Sequence, residues 1–502
     1  MFVTAADRFS VGQVRTNKLP DDAGEVTANI LTDDAGPLTL NTLPDDVLLE
    51  IFDFAIEDIS YMVWTWAKLA HVCRRWRHII FTSPQRLDLR IVCSSRTPTR
   101  TSLDIWPPPF PIAICCHSGL ISGEMGVDNI IAALEQRDRI SEIGFHVPSF
   151  VFARFATVMQ EPLPALTNLE LVSNARSAPA LPETFLGGSV PRLRSLYLDG
   201  VPFPALPRLL LSARDLVNLR LLTVPHSGYV SPEAMATCLA TLTRLESFEL
   251  VFHSTRSRPG QASRRPPPPT RAVLPALTHF RFQGVSEYLE DLVARIDAPQ
   301  IDNIWIKFSY QPVFELSQLP RFLARTEKFK AFTQANVLFQ DHSVDIIFPP
   351  TTRKVEDDWF HLMISCKEPD RQLSSMAQVC NSSLPPLPTL EYLYIRKQGF
   401  PPPRWPSADN MENTQWLELL RPFAGVRNLY LGEELALRVA RALQELTGES
   451  VAQVLPALQS LFFEGFQSPQ RAQRVIGRFV AARKLSGHPV AVHPWERKDL
   501  WE

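Results

Sequence analysis

Apolar residues recur along this chain in two rhythms. The longer-running one is a short phrase: leucine or proline, two residues, an apolar residue, one residue, an apolar residue. It appears at residues 164–171, 191–198, 216–221, 242–250, 275–282 and 299–306, then at 388–395, 424–431 and 456–463, with a weaker copy at 139–145. The middle apolar residue of each strong copy marks a position: Leu169, Leu196, Leu219, Phe248, Phe280, Ile304, Leu393, Leu429 and Leu461. Most steps between marks fall between 23 and 36 residues, and the gap from Ile304 to Leu393 has room for two degenerate copies around Phe329 and Leu362. Within each phrase apolar and polar residues alternate, the pattern of a short half-buried strand. Recurrence at this period predicts a solenoid.

Helical patterns fill the intervals. Ser231 and Pro232 supply an N-cap and a first-turn proline for residues 231–240. Tyr288, Leu289, Leu292, Val293 and Ile296 share one helical face, and residues 414–420 and 470–483 read similarly. One strand and one helix per unit predict a curved parallel sheet with helices outside.

The second rhythm is confined to residues 39–80. Pro44, Asp45 and Asp46 suit a helix start. Behind them, Val47, Leu48, Ile51, Phe52 and Ala55 form a stripe about 140° wide. A second helix is expected over 66–80, with Leu69, Val72, Cys73, Trp76 and Ile80 on its apolar side. So small a helical unit cannot hide all of Leu43, Val47, Leu48, Ile51, Phe52, Leu69, Val72 and Trp76, so part of this surface should stay open to a partner. Residues 1–37 are polar and aperiodic and read as mostly disordered. The Pro- and Arg-rich insert at 254–271 reads as a disordered surface loop, and 106–111 and 401–406 as rigid proline loops.

Composition narrows the function classes. The 502 residues exceed one compact core, and 45% of them are apolar, which is the globular range. A net charge of -2 demands neither nucleic acid nor an anionic membrane. Prolines outnumber glycines 44 to 20, which favours rigid strand entries over turns at positive φ. Seven scattered cysteines without a CxxC pair point to reduced, buried thiols and to no zinc site. No secretory h-region and no run of about eighteen apolar residues is present, so a soluble intracellular protein is expected.

No GxSxG, P-loop, HExxH or GxGxxG phrase occurs. Cys115, Cys116 and His117 read as core thiols and a loop histidine. Asp357–Asp358 and Glu433–Glu434 read as solvated pairs. No cofactor or metal is expected, and nucleic acid is not the expected partner. Arg74, Arg75 and Arg77 either meet solvent or face an acidic partner. Tyr197, Trp305, Tyr394 and Tyr430 sit at strand positions that either face outward or pack.

Residues 38–84 resemble the F-box family. Its LeuPro-acidic-acidic-apolar opening is matched by Leu43, Pro44, Asp45, Asp46 and Val47. Its IlePhe-type pair is Ile51 and Phe52, and its ValCys-basic-basic-Trp closing is Val72, Cys73, Arg74, Arg75 and Trp76. Ser83 and Pro84 fit the end, while the connection at 57–66 is a few residues longer than the family's. The order of F-box, proline-rich spacer and irregular leucine-rich array resembles large F-box families of mushroom-forming fungi.

The resemblance implies a non-catalytic subunit of an SCF-type ubiquitin ligase. Leu43, Pro44, Val47, Leu48, Ile51, Phe52, Leu69, Val72, Cys73 and Trp76 would then bind a Skp-type adaptor, which joins a cullin–RING ligase. A leucine-rich-repeat-like solenoid over 85–495 would recognise an unknown protein substrate. The alternative is an interaction scaffold unconnected to ubiquitin. The two share every repeat feature and differ only in the F-box.

Overall fold

The computed structural model describes residues 42–495 apart from 58–64, 84–89, 96–97, 107–109, 122, 174–177, 254–269, 310, 327–328, 330–331, 350–359, 367, 385–386, 399–409, 447–449 and 466–468. The N-terminal stretch 1–37, most of the 254–271 insert, the heart of the long 57–66 connection, the 401–406 loop and Asp357–Asp358 therefore lie outside the described residues.

Three helices come first: α1 (Asp45–Glu57), α2 (Thr65–Ala70) and α3 (Arg74–Thr82). The strands then follow, mostly with a helix or helical turn between them. They are β1 (Ile91–Val92), β2 (Ile112–His117), β3 (Ile140–Val147), β4 (Asn168–Ser173), β5 (Ser195–Asp199) and β6 (Asn218–Val224). Next are β7 (Ser247–Phe252), β8 (Ala272–Val273), β9 (His279–Gly284), β10 (Ile296–Asp297), β11 (Asn303–Ser309) and β12 (Gln334–Phe339). The last are β13 (Ser343–Phe348), β14 (Phe360–Ser365), β15 (Tyr392–Lys397), β16 (Asn428–Leu431), β17 (Ser460–Glu464) and β18 (Ala491–Trp495). Among the described residues, all but β8 and β10 join one 16-stranded sheet, and those two pair with each other.

The recurring phrase sets the register. Leu169 pairs with Leu196, Leu196 with Leu219, Leu219 with Phe248, Phe248 with Phe280 and Phe280 with Ile304. Past the middle, Leu393 pairs with Leu429 and Leu429 with Leu461. All three apolar positions of each strong copy are buried, for example Leu216, Leu219 and Leu221. Each fully buried leucine of this kind is worth about 1.5–3 kcal/mol against exposure. The residues between them stay partly exposed through β4–β7 and β11. One face of this part of the sheet is therefore covered and the other open. The array extends past the copies visible in sequence, to β1 and β2 at one end and β18 at the other.

Helix expectations hold where capping chemistry is explicit. The Ser231 hydroxyl accepts from the Ala234 amide at 3.2 Å, and Pro232 opens the helix Pro232–Leu239. The helix Ser286–Val293 buries Tyr288, Leu289, Leu292 and Val293, while Ile296 passes into β10. Glu290, also buried, accepts from the amides of Ser317, Gln318 and Leu319 at 2.7–2.8 Å and so caps the next helix, Leu319–Ala324.

The interval between Ile304 and Leu393 departs from the expectation of two further parallel copies. It contains three strands, and their spatial order is reversed: β11 pairs with β14, β14 with β13, β13 with β12, and β12 with β15. Leu362 does mark a strand, β14, in register with Ile306. Phe329 does not; it precedes β12 and packs among Phe332, Phe348 and Phe360. β12 and β13 are antiparallel because the link between them, Gln340–His342, is short and is closed by the Gln340 amide on the Ser343 carbonyl at 2.8 Å. A link that short makes an antiparallel hairpin, because a parallel crossover needs a dozen or more residues. Every residue of β13 is buried, so here the sheet is covered on both faces.

Two helical stripes are likewise redrawn. The single helix expected over 66–80 is two, α2 and α3, broken at His71–Cys73. Cys73 is extended (φ -155, ψ 173) and its Sγ accepts from the Trp76 amide at 3.4 Å, so it caps α3 instead of continuing α2. Val72 is thereby turned out to solvent.

Candidate functional site

The two ends of the N-terminal helical unit are clasped together. Pro44 stands just before α1, its carbonyl accepting from the Leu48 amide at 3.1 Å, and Asp45 and Asp46 occupy the first turn. From the start of α3, Arg75 pairs with Asp45 at 2.6 Å and donates to the Leu43 carbonyl. Arg77 donates to the Ala70 carbonyl at 3.0 Å, satisfying a free acceptor at the end of α2. Two of the three basic residues thus have partners inside the unit. The Arg75–Asp45 pair is exposed and contributes under about 1 kcal/mol, so its value is geometric.

The ten residues expected at the adaptor interface divide into two groups. Leu48 and Phe52 are fully buried, and Phe52 meets the half-buried Trp76 with ring centroids 4.8 Å apart. Leu43, Leu69 and Cys73 are also half-buried. These residues hold the helices together. The other four point out: Pro44 is exposed, Val47 is 40% exposed, Ile51 41% and Val72 59%. The α1 stripe has been split along its length, since the core covers only its 48/52 edge.

Phe54, absent from the sequence expectation, is 74% exposed and continues the open edge. Pro44, Val47, Ile51 and Phe54 are spaced three, four and three residues apart, which places them in one row along the helix. That spacing was the available signal. The helical unit is continuous with the array, since Phe81 at the end of α3 packs on Trp106 (5.6 Å) and Phe110 (6.4 Å).

The open face of the sheet carries the second set of functional candidates. One residue beyond each mark runs a row that reads Glu170, Tyr197, Arg220, Glu249, Arg281, Trp305 and His361 across successive neighbours. Arg220 lies over the Tyr197 ring (4.9 Å) and meets Glu249 at 2.8 Å. Arg281 lies over Trp305 (4.5 Å) and meets the same carboxylate at 3.5 Å. On the far side of the reversal the same row reads Tyr394, Tyr430, Phe462 and His493. Their rings stack at 4.3, 4.2 and 5.1 Å, with Trp495 edge-on to Tyr430 at 5.3 Å. Tyr197, Trp305 and Tyr430 are thus partly open, whereas Tyr394 is buried.

The chemistry weighed at Cys115–His117 resolves toward packing. Both thiols are buried in β2, and His117 ends the strand, edge-on to His146 at 5.1 Å. Burial pushes the neighbouring Cys93 thiol up to about 12 and raises Cys116 as well, so neither offers a thiolate near neutral pH. Burial, then the adjacent His146, lowers the pKa of His117. Glu433 and Glu434 are exposed in the first turn of the helix Glu433–Gln444, where the helix dipole favours them. Among the described residues no group of three His, Cys, Asp or Glu side chains could hold a metal ion, and no helix is long and apolar enough to cross a membrane.

No curated protein matches the chain. The F-box-like family model matches residues 40–90, so the clasped helical unit with its open apolar row is an F-box-like domain.

Proposed function

We propose that this chain is the substrate-recognition subunit of an SCF-type E3 ubiquitin ligase. F-box domains in general bind Skp-type adaptors. Here Pro44, Val47, Ile51, Phe54 and Val72 form the docking surface. Leu43, Leu48, Phe52, Leu69, Cys73 and Trp76 form the interior that holds it. The carrying observation is the open row along α1: Val47, Ile51 and Phe54 are left in water, with Pro44 exposed just ahead of them.

Through the adaptor the chain joins a cullin–RING ligase. It makes no bond itself and acts by proximity, holding a target lysine near the charged conjugating enzyme. The target docks on the array. A docking area of roughly 1,200–2,000 Å² suffices for a stable complex with the adaptor.

Co-purification with a Skp-type adaptor tests this. Wild type should retain the adaptor, and Ile51→Asp with Phe54→Asp should lose it at unchanged thermal stability, because both side chains are exposed. Leu48→Asp is unsuitable, since an interior carboxylate would unfold the unit. A wild-type chain that retains no adaptor, or a double variant that retains it equally, leaves the scaffold reading in its place.

A further inference from the structure

We propose that the row Tyr197–Arg220–Glu249–Arg281–Trp305 reads anionic side chains, carboxylate or phosphate, on an extended segment of the target. This rests on the reading of the array as the target-binding domain, and it names the class of target. The five residues occupy one register row on five neighbouring strands, β5, β6, β7, β9 and β11. Each guanidinium lies between an aromatic face and Glu249, with which it makes an ion contact and no hydrogen bond. Stacking sets the plane of the fork, and the shared carboxylate sets its place along the row.

The order of exposure decides the sign of the ligand. The Glu249 side chain is 15% exposed, while Arg220 and Arg281 are 43% and 44% exposed. A segment laid on the open face therefore meets two cations first and the carboxylate behind them. Arg220 contacts Glu249 through Nε and Arg281 through Nη1. Their remaining N–H groups have no partner among the described residues and suit bidentate binding of an oxyanion. Lys307, two residues beyond Trp305 on β11, adds a third cation with no ion partner among the described residues. Toward the chain start the nearest acidic group is Asp199, two residues beyond Tyr197 on β5; Glu170 and Glu142 follow, held by His146 (2.7 Å) and Arg90 (3.4 Å).

Spacing sharpens the ligand further. One strand separates the two arginines, so their backbones stand about 9–10 Å apart. A polyproline II segment repeats its side-chain direction every third residue, about 9.3 Å. Acidic residues three apart on such a segment would reach both forks.

The test uses the purified full-length chain and fluorescein-labelled twelve-residue Pro/Ala peptides carrying Glu, Gln, phosphoserine or Arg at every third position. The Glu or phosphoserine peptide should bind at least about tenfold more tightly than the Gln peptide, and added salt should weaken it. Binding by phosphoserine alone assigns phosphate as the group read; binding by both assigns the shared anion. Arg220→Gln with Arg281→Gln should remove the preference while thermal stability and adaptor retention stay unchanged, which separates this failure from failure of the adaptor reading.

Glu249→Ala supplies a readout for positioning. Net charge alone would make it bind the anionic peptide more tightly, whereas loss of the clamp makes it bind more weakly. Tighter binding overturns the clamp. No binding by either anionic peptide, equal binding by the Gln peptide, or preference for the Arg peptide overturns the proposal.

Discussion

The same row of the sheet is built in two chemistries on either side of the central reversal. From β5 to β11 it is ionic, each charge fixed by a neighbour and left partly in water. From β15 to β18 it is aromatic, ring on ring at 4.2–4.3 Å over its first three members. Both satisfy the requirement that residues directly across neighbouring strands interact favourably. They differ in what they leave over. Paired charges near water add little to stability and keep unused donors, whereas stacked rings add stability and spend their faces on one another. The ionic half therefore keeps donors free for a ligand, whereas the aromatic half braces the sheet.

The largest test of that contrast is Tyr430→Ala, which removes the middle ring of the stack. It should cost about 2–4 kcal/mol and loosen amide exchange in β15–β18 before β4–β9. A loss confined to the first half would break the contrast. Alkaline pH gives the next effect. Burial pushes the Tyr394 hydroxyl up to about 12 from an ordinary 10.0 and raises Tyr430 too. The folded state thus holds these protons longer than the unfolded chain does. Their contribution is complete below about pH 10 and is lost as pH rises toward 12, about 1–3 kcal/mol in all. Absorbance titration of tyrosinate alongside exchange in the last strands checks it, and ionisation near 10.0 for Tyr394 would contradict it. The smallest effect is Glu249→Gln, which should cost under about 1 kcal/mol and be masked further in high salt. A larger stability loss than Tyr430→Ala would mean that the ionic row is a brace after all.

What was legible in sequence followed from local rules. Strand alternation puts Leu169, Leu196 and Leu219 on one face whatever lies around them, so their burial and register could be read from the phrase. The reversal could not, because nothing within PheHisLeuMetIleSer of β14 says that it pairs with β11 ahead of β12. Pairing order is a long-range property: the three-residue link fixes the β12–β13 hairpin, while the pairings of β14 with β11 and of β12 with β15 set the order.

The F-box-like unit repeats the lesson at smaller scale. The stripe on α1 was visible, but its width could not say which edge the core would take, and so Leu48 and Phe52 were grouped with Val47 and Ile51. The break at Cys73 was hidden because a thiol is an unusual helix cap. The clamp at Glu249 went unread because its partners lie on other strands.

The reversal also sets an order of events at the ribosome. The block ending in β11 is complete when Ser309 emerges, but the strand that covers its edge begins only at Phe360. At about 5–20 residues per second, that edge waits roughly three to ten seconds with unpaired amides and carbonyls. An uncovered edge is a template for any strand nearby. The first strand made after it, β12, is the wrong one to bind there. Correct folding of this chain depends on β11 being kept unpaired until its partner arrives.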